Sequence, residues 1–191
     1  YEGFWNPDTM VAEKELPIPP GGTIYVGIDA SGRKPAAVFA ARNSFGGWDL
    51  LHEFCVMEGG MGAERYSQLL AGEMQRTFPN HDFEIWADPA GGWKSTTDER
   101  TYYDILAANG IHARPSPGLR VKPRLETVKS VLGRSIEGRP AMRVSPACKN
   151  LIRGFNGGYN CKKVSTATGD ADPDKSSRFA DVHDALQYLL C

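Results

Sequence analysis

Asp29 closes the run Tyr25-Val26-Gly27-Ile28-Asp29. Residues Thr23 to Ile28 are β-branched, aromatic and apolar, bounded by Gly21-Gly22 and Ser31-Gly32, which predicts a buried strand. A carboxylate at the end of such a strand is costly unless a metal ion, a cation or several donors meet it. Ile85-Trp86-Ala87-Asp88 repeats the design before the turn Pro89-Ala90-Gly91-Gly92. A third acidic position lies near the end of the chain, where Asp181 and Asp184 share one helical face with Tyr188 beside the stripe Val182, Leu186 and Leu189. Taken alone, that pair fits the solvent-facing acids of an amphipathic helix equally well. Together with two strand-end aspartates it forms the oxygen donor set that hard divalent cations take. Two such cations can activate water and stabilise a leaving oxygen in phosphodiester hydrolysis.

Carboxylates can converge only if separate elements carry them to one place. The pattern predicts strands over 23–29, 36–42 and 48–56, with Asn43-Ser44-Phe45-Gly46-Gly47 as the turn between the last two; the short connections make this an antiparallel meander. A helix is expected over 62–78, stopped before Pro79, then a strand at 82–88 and a helix near 98–109 ended by Asn109-Gly110. A strand at 111–114 and the loop Pro115-Ser116-Pro117-Gly118 lead to a basic amphipathic helix from Lys122 to Glu137, with Leu125, Val128, Val131, Leu132 and Ile136 apolar. Further on, the expectations are a strand at 141–144, a short helix at 146–154, a hairpin over 155–164 and a polar loop over 165–177. A final helix is expected over 178–190. Residues 1–22, rich in Pro and Gly, read as an extended lead-in, and 23–191 as the domain. The class is α/β, with a mixed central sheet flanked by helices.

The chain has 191 residues, 41% hydrophobic and 24% charged, and carries a formal net charge of −1. Nucleic-acid binding would therefore depend on local basic patches, not on a summed positive field. Cys55, Cys148, Cys161 and Cys191 are widely spaced and suggest neither a zinc site nor a disulfide framework. No membrane span, signal peptide or GxxxxGK[ST] phosphate loop is present in the sequence.

The stretches Gly27-Ile28-Asp29, Trp86-Ala87-Asp88-Pro89-Ala90 and Asp184-Ala185-Leu186-Gln187-Tyr188 resemble the nuclease domain of tailed-bacteriophage large terminase subunits. The resemblance extends through Arg124 to Leu132, Gly138-Arg139-Pro140-Ala141, Ser145-Pro146-Ala147-Cys148 and Gly157-Gly158-Tyr159, covering roughly residues 23 to 190 in order. It implies a ribonuclease H-like fold shared with RuvC-type resolvases. It also implies an endonuclease cutting concatemeric double-stranded viral DNA with two Mg²⁺ or Mn²⁺ ions. The family's three metal-binding acids fall on Asp29, Asp88 and Asp184. The position three before the last acid is often His in the family and is Asp181 here, which leaves Asp181 as a fourth ligand, a group behind the ligands or a proton-transfer group. The implied partners are an ATPase domain upstream on a longer chain, a small terminase subunit and a portal protein, with the host cytoplasm as location. The first residue, Tyr1, and the missing phosphate loop fit an expectation that the chain is a carboxy-terminal piece.

Arg114, Arg120, Lys122, Arg124, Lys129 and Arg134 concentrate positive charge, and Lys149, Arg153, Lys162 and Lys163 extend it. On a DNA groove such residues give sequence-independent, salt-sensitive affinity for phosphates; a solvated helix face is the ordinary alternative. Arg33 and Lys34 follow Asp29 closely enough to meet a phosphate, and Trp93 and Lys94 are weaker candidates of the same kind. His183 falls off the acid face and reads as structural. Three competing readings remain. A RuvC-like resolvase or transposase would share the acids. An actin-like kinase fragment would need duplicated subdomains for which the length leaves no room. A non-catalytic DNA-binding or portal-docking module would use the acids only for structure.

Overall fold

Strand β1 (Thr23–Asp29) shows how the chain divides into two faces. Alternate residues Ile24, Val26 and Ile28 enter one apolar cluster, while Tyr25 packs against the other. Asp29 has the parity of Tyr25 and Gly27, so its carboxylate belongs to the second face. Strand β2 (Ala36–Arg42) alternates in the same way: Ala37, Phe39 and Ala41 go to the first cluster, Ala36, Val38 and Ala40 to the second. The computed structural model describes residues 1–29, 34–58, 60–92, 100–118, 120–160, 173–174 and 176–191.

The meander forms as expected. Strand β1 pairs antiparallel with β2, and β2 with β3 (Trp48–Cys55), through a slip in register between Phe39 and Ala40. The connecting turn is held by the Asn43 side chain, whose Oδ1 accepts from Phe45 N at 3.2 Å and Gly47 N at 2.8 Å. Strand β4 (Asp82–Ala87) lies parallel to β1 on its other side, and the two-residue β5 (Arg114–Pro115) extends that edge. Strand β8 (Met142–Val144) runs parallel to β3 and completes a six-stranded sheet in the order β5-β4-β1-β2-β3-β8. Helices α2 (Ala63–Thr77) and α3 (Tyr102–Ala108) follow the meander and β4, and Tyr66, Leu70, Met74 and Leu106 carry them into the first cluster. Helix α3 opens on a capping box between Thr101 and Asp104. Helices α4 (Val121–Leu132), α5 (Lys149–Arg153) and α6 (Ala180–Leu190) contribute to the second cluster. Together these are the mixed sheet and flanking helices expected from the sequence.

Some local expectations need correction. The basic helix ends at Leu132, not Glu137. Gly133 closes it, and β6 (Ser135–Ile136) and β7 (Arg139–Pro140) then form a small hairpin. Its tip, Glu137-Gly138, has φ of 51° and 75°, the left-handed pair that a tight hairpin turn demands. The hairpin expected around Asn156-Gly157-Gly158 is a π-helical turn over Gly154–Gly158, broken where Gly157 takes φ 104°. The remainder of that hairpin and most of the polar loop at 165–177 lie outside the described residues. Residues 1–22 are mostly irregular but pack onto the domain. They include the short helix α1 (Pro7–Met10), a backbone bond from Ala12 N to Val144 O at 3.0 Å, and buried Met10 and Leu16. Among the described residues no helix is long and apolar enough to cross a membrane.

Candidate functional site

Parallel pairing of β1 with β4 sets the first two acids side by side. Ile28 is level with Ala87, and Asp88 N donates to Ile28 O at 3.2 Å, so both strands deliver an aspartate at the same carboxyl edge. Asp88 has the parity of Glu84 and Trp86, and Trp86 stacks on Tyr25 on the second face. Asp29 is buried and Asp88 half-buried. The turn after β4 fixes Asp88: Ala90 N donates to its Oδ1 at 2.9 Å, and the Tyr103 hydroxyl donates to the carbonyls of Ala87 at 3.2 Å and Asp88 at 2.9 Å. Burial and then Asp88 push the Tyr103 phenol up to about 12, so it stays a donor at any working pH.

Helix α6 brings the third acid. It can lie against β1 because Gly27 has no side chain; a Cβ there would come 2.8 Å from Leu189 Cβ and 2.9 Å from the Ala185 carbonyl carbon. Asp184 is thereby buried over the same strand end. The Tyr159 hydroxyl donates to Asp184 Oδ1 at 3.5 Å and accepts from Gln187 Nε2 at 3.0 Å. Arg124 Nη2 lies 3.8 Å from Asp184 Oδ1, with both side chains almost fully buried, and the guanidinium stands 4.5 Å from the Tyr188 ring centre. Tyr188 marks the centre of the cluster. Its hydroxyl is pushed well above the usual tyrosine range by burial and then by Asp29, with Asp88 and Asp184 adding and Arg124 opposing.

The structure thus places Asp29, Asp88 and Asp184 around Tyr188 at one sheet edge. Asp181 occupies the first turn of α6, half-buried, where its charge acts on Cys55 at the end of β3. Among the described residues no group of three or more acids, histidines or cysteines is placed so that it could hold a metal ion as the side chains stand. Lys34 is half-buried beside this edge; Arg33, Trp93 and Lys94 lie outside the described residues. Arg120 and Lys122 are exposed at the start of α4, whereas Lys129 pairs with Glu126 at 2.7 Å.

Arg124 departs from its expected place on the exposed basic face. It is buried because the inward stripe of α4 is Arg124, Val128 and Leu132, spaced by four, with Leu125 only half-buried. That spacing is present in the sequence, and counting back one turn from Val128 finds Arg124. Tyr159 and Tyr103 have no such signal; both reach the acids only through tertiary packing. His183 is structural, as expected. It is buried, stacked on Tyr159 with centroids 4.7 Å apart and edge-on to Phe155 at 4.7 Å.

A mixed sheet in this order, flanked by helices, is the ribonuclease H-like fold. Among solved structures, the chain is similar to the large terminase nuclease of the thermophilic phage G20c with bound cobalt, at 12% identity and a TM-score of 0.57 over 88% of this chain and 80% of that one. The same nuclease with bound zinc matches at 10% identity and a TM-score of 0.52 over 87% of this chain and 79% of that one. The large terminase of bacteriophage HK97 matches at 18% identity and a TM-score of 0.60 over 92% of this chain, which spans only 40% of the HK97 protein. The fold is therefore that of phage large terminase nuclease domains. No protein-family model matches the chain, and no curated protein matches it in sequence.

Proposed function

We propose that this chain is the metal-dependent endonuclease domain of a viral DNA-packaging terminase, residues 23–191 forming the nuclease and 1–22 its lead-in. The observation that carries the reading is the delivery of Asp29, Asp88 and Asp184 from three separate elements to one edge of a terminase-type sheet. Their donor chemistry fits a hard cation. All are carboxylate oxygens, two of the three side chains are buried, and buried anions of like charge need positive charge among them. Mg²⁺ or Mn²⁺, as two ions, is the expected occupant; the G20c relative was crystallised with cobalt and with zinc.

When bound, such ions acidify water and neutralise charge on the scissile phosphate and leaving oxygen. The chain's own residues do the rest. Asp29, Asp88 and Asp184 would hold the ions. Tyr103 fixes the backbone from which Asp88 projects. Lys34, Arg120 and Lys122 contact backbone phosphates of duplex DNA, giving an affinity that falls with salt. On this reading an ATPase domain on a longer chain, a small terminase subunit and a portal protein are the further partners.

Plasmid nicking in Mg²⁺, Mn²⁺ or EDTA, beside an Asp29→Asn variant, tests the proposal. Cleavage is expected with either metal, and none in EDTA or in the variant. Absence of metal-dependent cleavage with protein in excess over DNA would overturn it in favour of a docking module.

A further inference from the structure

Arg124 is a cation built into the acid cluster from the inside. Its side chain is 4% exposed, and its Nε is buried without a hydrogen-bond partner among the described residues. Its acidic contact, Asp184 Oδ1, is 3.8 Å from Nη2, too long for the bidentate fork that normally satisfies a buried guanidinium. The stem is held in place nonetheless. The loop at Gly118 closes over it so tightly that a Cβ there would stand 2.9 Å from Arg124 Cγ and 3.2 Å from Cδ and from Cys191 Sγ. Tyr188 supports the guanidinium face. The field around it includes Tyr188, Asp184 and Asp88, which together outweigh the burial that opposes its charge. A buried, imperfectly bonded cation is an expensive choice for α4, whose next two inward residues are Val128 and Leu132.

From this geometry we infer that Arg124 is the resident countercharge of the acid edge: it stabilises the carboxylates while no divalent cation is bound and lowers their affinity for one. This rests on the reading of the acids as a metal site. Arg124 is a positioning residue, acting through Asp184, and it sets the cation concentration at which the site fills. A fixed positive charge next to a ligand oxygen repels an incoming dication, whereas a bonding residue with a purely architectural role would not.

The test is Mn²⁺ binding by titration calorimetry and by loss of the free-ion electron paramagnetic resonance signal, on the wild-type chain, Arg124→Gln and Asp184→Asn. Arg124→Gln is expected to melt at a lower temperature without metal, to bind Mn²⁺ about tenfold more tightly and to gain more thermal stability from it. Arg124→Met keeps the stem that fills the Gly118 cradle, and gives the same comparison if the Gln variant does not fold. Unchanged or weaker Mn²⁺ binding in the folded variant would overturn the inference while leaving the metal site intact. Wild-type chain that binds no Mn²⁺, or binds it as well in Asp184→Asn, would instead overturn the metal site, and the inference with it.

Discussion

The two faces of the sheet are made from the same strands, residue by alternate residue, yet they are different materials. Under α2 and α3 lie Ile24, Val26, Ile28, Phe39, Leu70, Phe78 and Leu106, with Tyr66 donating to the Phe54 carbonyl and Ser67 bonded back to Ala63 O at 2.8 Å. Under α6 the buried set includes Arg124, His183, Asp184 and Gln187. Of these, Arg124 Nε, both nitrogens of His183 and Gln187 Oε1 have no hydrogen-bond partner among the described residues. Burying such groups costs stability that an apolar side chain would supply. Both faces hold the fold together with an apolar cluster, but the second also buries these unpartnered polar atoms beside the three aspartates, and local rules are broken where function is proposed.

The apolar face should respond to truncation as a well-packed core does. Phe39, fully buried and stacked on Phe78 with ring centroids 5.2 Å apart, is its clearest member. Phe39→Ala should cost about 3–5 kcal/mol in chemical denaturation, with Mn²⁺ affinity unchanged in the protein that remains folded. A loss under 1 kcal/mol would mean that this face is not packed as a core.

Much of this division is legible in the sequence because period-2 alternation is a local property. The strand at 23–29, the strand-end acids, the meander and the Asp184 helix all follow from patterns a few residues long. The α4 boundary is different: Ile136 continues the apolar spacing, but Gly133 and the Glu137-Gly138 turn end the helix and start a hairpin. The companions of the acids are harder still. Tyr159 reaches Asp184 across 25 positions of chain, and no spacing rule relates them. Gly27 reads only as part of a motif until α6 is seen lying against it.

Gly27 is the joint between strand and helix on the chemical face. Gly27→Ala would push α6 off β1, since the added carbon meets the Ala185 backbone and Leu189 Cβ, neither of which can swing aside. The expected cost is about 1–3 kcal/mol. Asp184 would shift relative to Asp29, so Mn²⁺ binding should weaken even at temperatures where the variant is fully folded. If affinity held while stability fell, the helix position would not be what aligns the acids.

The smallest effect separates the faces by pH. His183 is enclosed by Phe155, Tyr159 and Tyr1, and Gly154 lies so close that its Cβ would stand 3.2 Å from Cε1. Burial depresses its pKa from 6.5 to about 3. Above pH 6.5 the imidazole is neutral folded or unfolded, and its burial is free of any titration cost. As pH falls below 6.5 the unfolded chain takes up a proton that the folded chain refuses, so stability declines until the pH approaches 3. Between pH 7 and 5 this group alone should remove about 2 kcal/mol. Glu53, whose pKa is raised chiefly by burial, works in the opposite direction, but it does so equally in a His183→Phe variant. The difference between wild-type and variant unfolding free energies, measured by urea titration at pH 7, 6 and 5, isolates the histidine. That difference should shift by about 2 kcal/mol in favour of the variant as the pH falls. A constant offset at all three pH values would show that His183 reaches a proton in the folded state, and that this side of α6 is less closed than its packing indicates.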